Sequence, residues 1–185
     1  SKDLCMIEHI PELVEAGINS FKIEGRMKTA LYVAVVARTY RQAVDDYFES
    51  PEKYKSRIPY YKEEIAKCTY RQFTTGFFFG PTSHDTQIYD NNTYVNEFIY
   101  LGMVQQADED GVVVFEQKNK FCVGDTIEVM KVSGENVHAK VLEMYNDRGE
   151  QIESCPHPQE QIRMKLSETL EVGDIMRMHK ETQEA

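Results

Sequence analysis

No apolar run in the 185 residues approaches the length of a membrane span, and the opening Ser1-Lys2-Asp3-Leu4-Cys5 has neither the charged head nor the long apolar stretch of a secretory signal. The expectation is a soluble, cytoplasmic protein with no membrane partner. Cysteine is sparse as well. Cys5, Cys68, Cys122 and Cys155 are widely spaced and form no C-x-x-C pair, which supports neither a zinc ribbon nor a disulfide scaffold. The last three sit among apolar or strand-like residues, where a cysteine acts as a small buried hydrophobe. The chain also has no Ser/His/Asp set, no H-E-x-x-H and no Cys/His pair at a recognisable spacing. No nucleophilic triad and no zinc-hydrolase site is therefore visible.

What is present is ordinary for a globular protein, with 41% hydrophobic and 28% charged residues and room for one sizeable or two small domains. The net charge of −10 is unevenly spread. Residues 1 to 94 carry 12 Lys+Arg against 13 Asp+Glu, or −1, whereas residues 95 to 185 carry 9 against 18, or −9. The acidic half repels phosphate backbones, so any RNA contact is expected from the first half or from a partner.

The most informative stretch is Phe21-Lys22-Ile23-Glu24-Gly25-Arg26-Met27-Lys28. Its alternation predicts a strand over 18 to 24 with Phe21 and Ile23 on one face and Lys22 and Glu24 on the other, Arg26 lying just past its carboxyl end. In strand-then-helix proteins ligands bind at the carboxyl ends of strands, which makes Lys22, Glu24 and Arg26 candidate site residues. The alternative for the same residues is a solvated sheet edge.

Around this stretch the pattern predicts a short helix from Met6 to Ala16, ended by Gly17, and a long helix from about Thr29 to Phe48 that is apolar over much of its circumference. Ser50-Pro51 and Pro59 read as the starts of two short surface helices, the second ending near Cys68. Thr74 to Gly80 (Thr-Thr-Gly-Phe-Phe-Phe-Gly) is an aromatic, glycine-bounded segment, and residues 81 to 94 read as a linker. The domain division expected is thus 1–94 and 95–185.

From Asn96 onward short strands take over: Phe98 to Gln105, Val112 to Glu116, Thr126 to Met130, Val137 to Tyr145, Gln161 to Leu166 and Ile175 to Met178. Phe121-Cys-Val-Gly-Asp125 and Leu170-Glu-Val-Gly-Asp174 repeat one theme, a turn leading into a strand. Six strands at this spacing predict a small antiparallel β-barrel. Phe98, Tyr100, Phe115 and Phe121 fit its core better than a base-stacking surface. The first half, by contrast, holds one and a half strand-helix repeats, too few to cover its own helices. Either a second chain or an amino-terminal portion of a longer protein is expected against residues 1 to 48. A start at Ser1 fits a truncated chain and methionine removal equally.

Ser1 to Gly17, Ser20 to Lys28 and Tyr32-Val-Ala34 together resemble the carboxyl-terminal part of peptidase family U32, the collagenase-like protease family, and Thr74 to Gly80 resembles it too. The later half, with Pro156-His-Pro158, is similar to the β-barrel that ends the longer members. The resemblance implies an α+β chain: the C-terminal end of a (β/α)8 TIM-like barrel, mostly helical as present here, followed by the small barrel, which resembles those of translation factors. It implies that Cys5 is the fourth thiolate of a 4Fe-4S cluster in the full-length protein, the other three lying upstream, and that this chain alone holds none. On these residues alone Cys5 is a buried thiol at a helix start. Lys22, Glu24 and Arg26 would then face the active end of a barrel, Arg26 binding a carboxylate or phosphate and Glu24 orienting it or moving a proton. His9 lies near enough to Cys5 to be considered, though a lone histidine is more often structural. Members act in tRNA modification, notably wobble uridine hydroxylation, others in ubiquinone hydroxylation, and some are classed as peptidases. The expectation is cluster-dependent tRNA hydroxylation by the full-length protein, with proteolysis as the alternative and a noncatalytic docking module as the role of these 185 residues taken alone.

Overall fold

Asp3–Leu4 form a two-residue strand, β1, and the chain then turns at once into a helix opened by proline and closed by glycine. This α1 (Ile10–Glu15) carries Pro11 in its first turn, where a missing N–H costs nothing. Gly17, at φ +76°, donates to the Val14 carbonyl while the Ile18 N–H returns to Leu13, the paired bonds of a Schellman ending. The helix is shorter than Met6 to Ala16 because residues 7 and 8 are used in a turn. The computed structural model describes residues 2–82 and 94–180, in two units, Ser1–Glu97 and Phe98–Ala185. The expected linker over 81 to 94 lies almost entirely outside the described residues.

Residues 18 to 24 form no strand and carry no regular secondary structure. A strand exists only through a hydrogen-bonded neighbour, and among the described residues none runs beside this segment. Thr29 then caps α2 (Ala30–Glu49), its hydroxyl accepting from the Tyr32 N–H at 3.2 Å. Ser50 serves two helices. Its N–H donates to the Asp46 carbonyl at the end of α2, and its hydroxyl accepts from the Lys53 N–H to open α3 (Pro51–Ala66).

Pro59 does not start a separate helix. It lies inside α3, which runs through it, because the helix is held along its length by buried Tyr54, Tyr61 and Ile65 against Ile7, Ile10 and Ala43. Tertiary packing here overrides a break that local propensity predicts. Helix α3 is also no surface element, since Tyr54 and Tyr61 are fully buried and stack at 5.9 Å. Past α3, β2 (Phe73–Thr74) returns to pair in parallel with β1.

The second unit follows the sequence closely: β3 (Phe98–Ala107), β4 (Val112–Glu116), β5 (Thr126–Met130), β6 (Val137–Tyr145), β8 (Gln161–Leu166) and β9 (Ile175–His179), with a short additional β7 (Gln151–Ile152) attached to β6. The described residues are therefore mixed helix and antiparallel sheet, apart from the small parallel β1–β2 pair. The pairings run β5-β9-β3-β4-β8-β6 and return to β5, so each of these six strands has a neighbour on both sides. Inward residues such as Leu101, Val104, Phe115, Phe121, Ile127, Met144, Ile162 and Met176 fill the interior. Gly102 is required by close approach: a Cβ there would meet the Phe115 ring at 2.6 Å and the Glu116 carbonyl at 2.8 Å.

The repeated Val-Gly-Asp theme is a structural repeat. In each copy the aspartate, Asp125 or Asp174, accepts at 2.8 Å from the N–H three residues earlier, Cys122 or Glu171. Each glycine has positive φ, and each donates at 2.9 Å to a valine, Val141 on β6 or Val104 on β3, whose own N–H returns to the aspartate carbonyl. One offset in residue number carries β4 and β5 onto β8 and β9. Where β5 and β9 meet, the equivalent residues Glu128 and Arg177 face each other and form a buried, two-pronged ion pair, both contacts 3.1 Å.

Candidate functional site

The β1–β2 pair fixes the position of Cys5. Leu4 is in register with Thr74, and the Cys5 N–H donates to the Thr74 carbonyl at 2.9 Å, so Cys5 extends β1 by one residue beyond its carboxyl end. Its sulfur accepts a hydrogen bond from the Tyr40 hydroxyl of α2 at 3.7 Å. The Met6 N–H donates to the same phenol oxygen at 2.8 Å, which leaves the phenol proton free to point at sulfur. Burial pushes the Cys5 thiol up, against the lowering effect of hydrogen bonds from Ile7 and Tyr40. As it stands, the group is a thiol at neutral pH.

Two hollows meet at Cys5. One of about 30 Å³, roughly a single water's room, is shared with Cys68, Tyr32 and Tyr40. The other, about 320 Å³, is bordered by Glu8, Lys62, Phe73 and Thr75, and Lys62 bridges Glu8 at 3.1 Å.

Asp3 anchors this arrangement. Its Oδ1 accepts from Arg71 Nε at 3.0 Å and Nη2 at 2.8 Å, and its Oδ2 accepts from the Arg71 N–H at 2.9 Å. Lys28 adds a contact at 3.7 Å. Burial alone would raise the Asp3 carboxyl, but Arg71 and Lys28 outweigh it and hold the group below the usual carboxylate range. Lys28, the last residue of the alternating motif, is thus the one brought to the Cys5 strand, with its ammonium 4.9 Å from the Tyr32 ring centre.

Lys22, Glu24 and Arg26 lie elsewhere, on the exposed loop ahead of α2. Lys22 and Glu24 approach to 3.9 Å with side chains 88% and 72% exposed, where such a pair is worth little. The Glu24 carboxylate also accepts from the Arg26 N–H at 3.1 Å, closing a tight local turn. His9 sits at the start of α1, bonded through Nδ1 to Glu12 at 3.1 Å and with its ring 4.5 Å from that of Phe79. That is a structural role.

The residues sequence reading passed over are Asp3, Lys28, Tyr40 and Arg71. Asp3 had a signal, standing two residues before Cys5 on a strand. Arg71 and Tyr40 had none, because they reach the site through the return of β2 and the docking of α2.

Among the described residues, no group of three or more His, Cys, Asp or Glu side chains could hold a metal ion. Cys5 offers one soft donor beside an open hollow, which fits one corner of a four-thiolate set and no more. Nor is any helix among the described residues long and apolar enough to cross a membrane.

Residues 1–88 match peptidase family U32, and residues 96–177 match the peptidase family U32 C-terminal domain. The chain is 33% identical, over 97% of its length, to tRNA hydroxylation protein P1 of Bacillus subtilis, of which it covers 42%. It is 34% identical, over 98% of its length, to an uncharacterized protease of Methanocaldococcus jannaschii, of which it covers 44%. It thus spans less than half the length of these relatives. A solved C-terminal domain of a Geobacillus thermoleovorans putative U32 peptidase is 25% identical and aligns over 43% of this chain and 99% of that one, with a TM-score of 0.40.

Proposed function

The chain belongs to peptidase family U32, and from that premise we propose that the full-length protein acts in tRNA hydroxylation in the cytoplasm, with a 4Fe-4S cluster to which Cys5 contributes one thiolate. The observation that carries this reading is the placement of Cys5: one residue past the end of a strand, held through its N–H, its sulfur already accepting a hydrogen bond, beside an open hollow of about 320 Å³. When bound, such a cluster supplies one-electron chemistry, and the hydrogen bonds to its sulfurs tune it. The remaining thiolates would come from the amino-terminal part of the longer protein. The naming of the Bacillus relative supports the substrate class.

In this reading, residues 1 to about 48 are the last repeats of a (β/α)8 barrel, and the six-stranded circuit is the small β-barrel that ends the longer members. What supports the first half of that statement is a hollow of about 510 Å³ between segment 18–23 and α2, whose apolar lining includes Ile18, Phe21, Ile23, Ala37, Val44 and Phe48 beside the polar Asn19 and Arg41. A preceding part of the polypeptide, or a second chain, would cover it. Lys22, Glu24 and Arg26 would then join the substrate side, Arg26 holding a phosphate or carboxylate and Glu24 orienting it or taking a proton. These 185 residues alone would be noncatalytic.

The test is anaerobic purification of the full-length protein with iron and sulfide assays, together with mass spectrometry of tRNA from a deletion strain complemented by wild type or Cys5→Ala. Loss of iron and of the hydroxylated nucleoside in the variant is expected. Iron unchanged by Cys5→Ala would remove the ligand assignment. Peptidase activity indifferent to both iron and Cys5 would favour proteolysis, the reading that the archaeal protease relative keeps open.

A further inference from the structure

Resting on the reading just given, we propose that Phe77 and Phe78 form a stacking platform for an unpaired nucleobase of the RNA substrate. Phe77, Phe78 and Phe79 stand 76%, 55% and 60% exposed on one turn, an unusual outlay of aromatic surface in water. The turn is built and not frayed. The Phe78 N–H donates to the Thr75 carbonyl, the Gly80 N–H donates to the Phe77 carbonyl, and the Gly76 N–H donates to the Thr74 hydroxyl at 3.1 Å. Gly76 at φ +58° supplies a backbone conformation that side-chain-bearing residues rarely adopt.

Three observations select the occupant. The first is position. Because β1 and β2 are parallel and Leu4 is in register with Thr74, Cys5 and the aromatic turn leave the strand pair at the same, carboxyl end. In parallel β/α architectures that end carries the ligand. The second is composition. All three residues have a π-face, and among the described residues Phe79 pairs with another ring, that of His9, whereas Phe77 and Phe78 stand largely in solvent. Flat aromatic faces left in water are what a base in a single-stranded loop stacks on. The third is charge. Residues 1 to 94 are near neutrality, so RNA can approach this unit, unlike the −9 of residues 95 to 185. An enzyme acting on a base must take that base out of its stack, and an aromatic platform beside the reacting centre replaces the stacking that is lost.

The experiment separates a π-face from mere greasiness in the full-length protein. Binding of a fluorescein-labelled oligouridylate is measured by anisotropy for wild type, for Phe77→Leu/Phe78→Leu and for Phe77→Tyr/Phe78→Tyr. Leucine keeps the apolar bulk and tyrosine keeps the ring. We expect the leucine pair to bind about 10- to 100-fold more weakly, the loss typical of one to two stacked bases, and the tyrosine pair to stay within about threefold of wild type. Leucine binding like wild type, or tyrosine failing alongside leucine, overturns the platform and leaves a segment of protein as what covers the turn. If the leucine pair fails to fold, Phe78→Trp gives the readout as the emission it adds over wild type, these 185 residues having no tryptophan. Its added emission should be quenched by the oligouridylate, and emission that does not change overturns the proposal. A wild-type protein that neither binds the RNA nor yields hydroxylated tRNA rejects the parent reading and the platform with it. A wild type that does both while the leucine pair is unaffected rejects the platform alone.

Discussion

Asp46 on α2 shows how one buried charge holds the helical unit together. Its carboxylate accepts from Lys53 at 2.8 Å, from Arg57 at 2.9 Å and from the Tyr61 hydroxyl, while its own carbonyl caps α2 through Ser50. Burial by itself would raise the Asp46 carboxyl; the bonds from Lys53 and Tyr61 and the charge of Arg57 outweigh it and depress the group. A carboxylate lowered in the folded state adds stability that is present above its unfolded pKa of about 4 and is lost as pH falls through the folded value. Asp46→Ala should therefore cost about 3 kcal/mol at pH 7, and the gap to wild type should narrow on acidification. Thermal unfolding of both chains between pH 7 and pH 3 checks this, and a gap independent of pH would place the effect in packing instead. The candidate site has the same character: Cys5 was legible from its motif, but Tyr40 and Arg71, 35 and 66 residues further on, carried no local mark that they would meet it.

At the level of elements, two positions set backbone geometry against side-chain identity. Pro59 lies on the exposed side of α3, lacks a donor for the carbonyl one turn back and crowds it, so Pro59→Ala should stabilise the chain by about 1–3 kcal/mol. Urea unfolding measures this, and a destabilised variant would mean that the irregularity at Pro59 is itself needed for packing. Gly102 is the opposite case. Any side chain there drives into Phe115 and the Glu116 backbone where β3 changes partner from β9 to β4, and Gly102→Ala should cost about 1–3 kcal/mol. The same denaturation, followed by a probe confined to the second unit, gives the result, and a neutral substitution would show that β3 can shift away.

For the molecule as a whole, the two units differ in self-sufficiency. In residues 98–180 the six-strand circuit leaves none of those strands unpaired and encloses a continuous core, whereas most of the large apolar side chains exposed among the described residues belong to the first unit, Leu4, Ile23, Met27, Val33 and Phe48 among them. Expressed separately, residues 96–185 should unfold cooperatively by circular dichroism. Residues 1–95 should bind a hydrophobic dye and associate. A soluble, monomeric, dye-silent first unit would remove the need for any covering partner.

The sequence by itself determined the strands of the second unit nearly to the residue, because period-two alternation, the Asp108 to Gly111 turn and the paired Val-Gly-Asp turns are all local and agree with one another. It determined the Gly17 ending of α1, the extent of α2 to within a residue and the Ser50-Pro51 start of α3 for the same reason, though not where α1 begins. Tertiary structure alone decided that segment 18–24 has no strand partner among the described residues, that α3 continues through Pro59, and that Lys28 rather than Lys22 reaches the Cys5 strand. Each of these depends on what lies across from a residue in space, through hydrogen bonds and burial contributed by chain far away in sequence, and neither periodicity nor propensity carries that information.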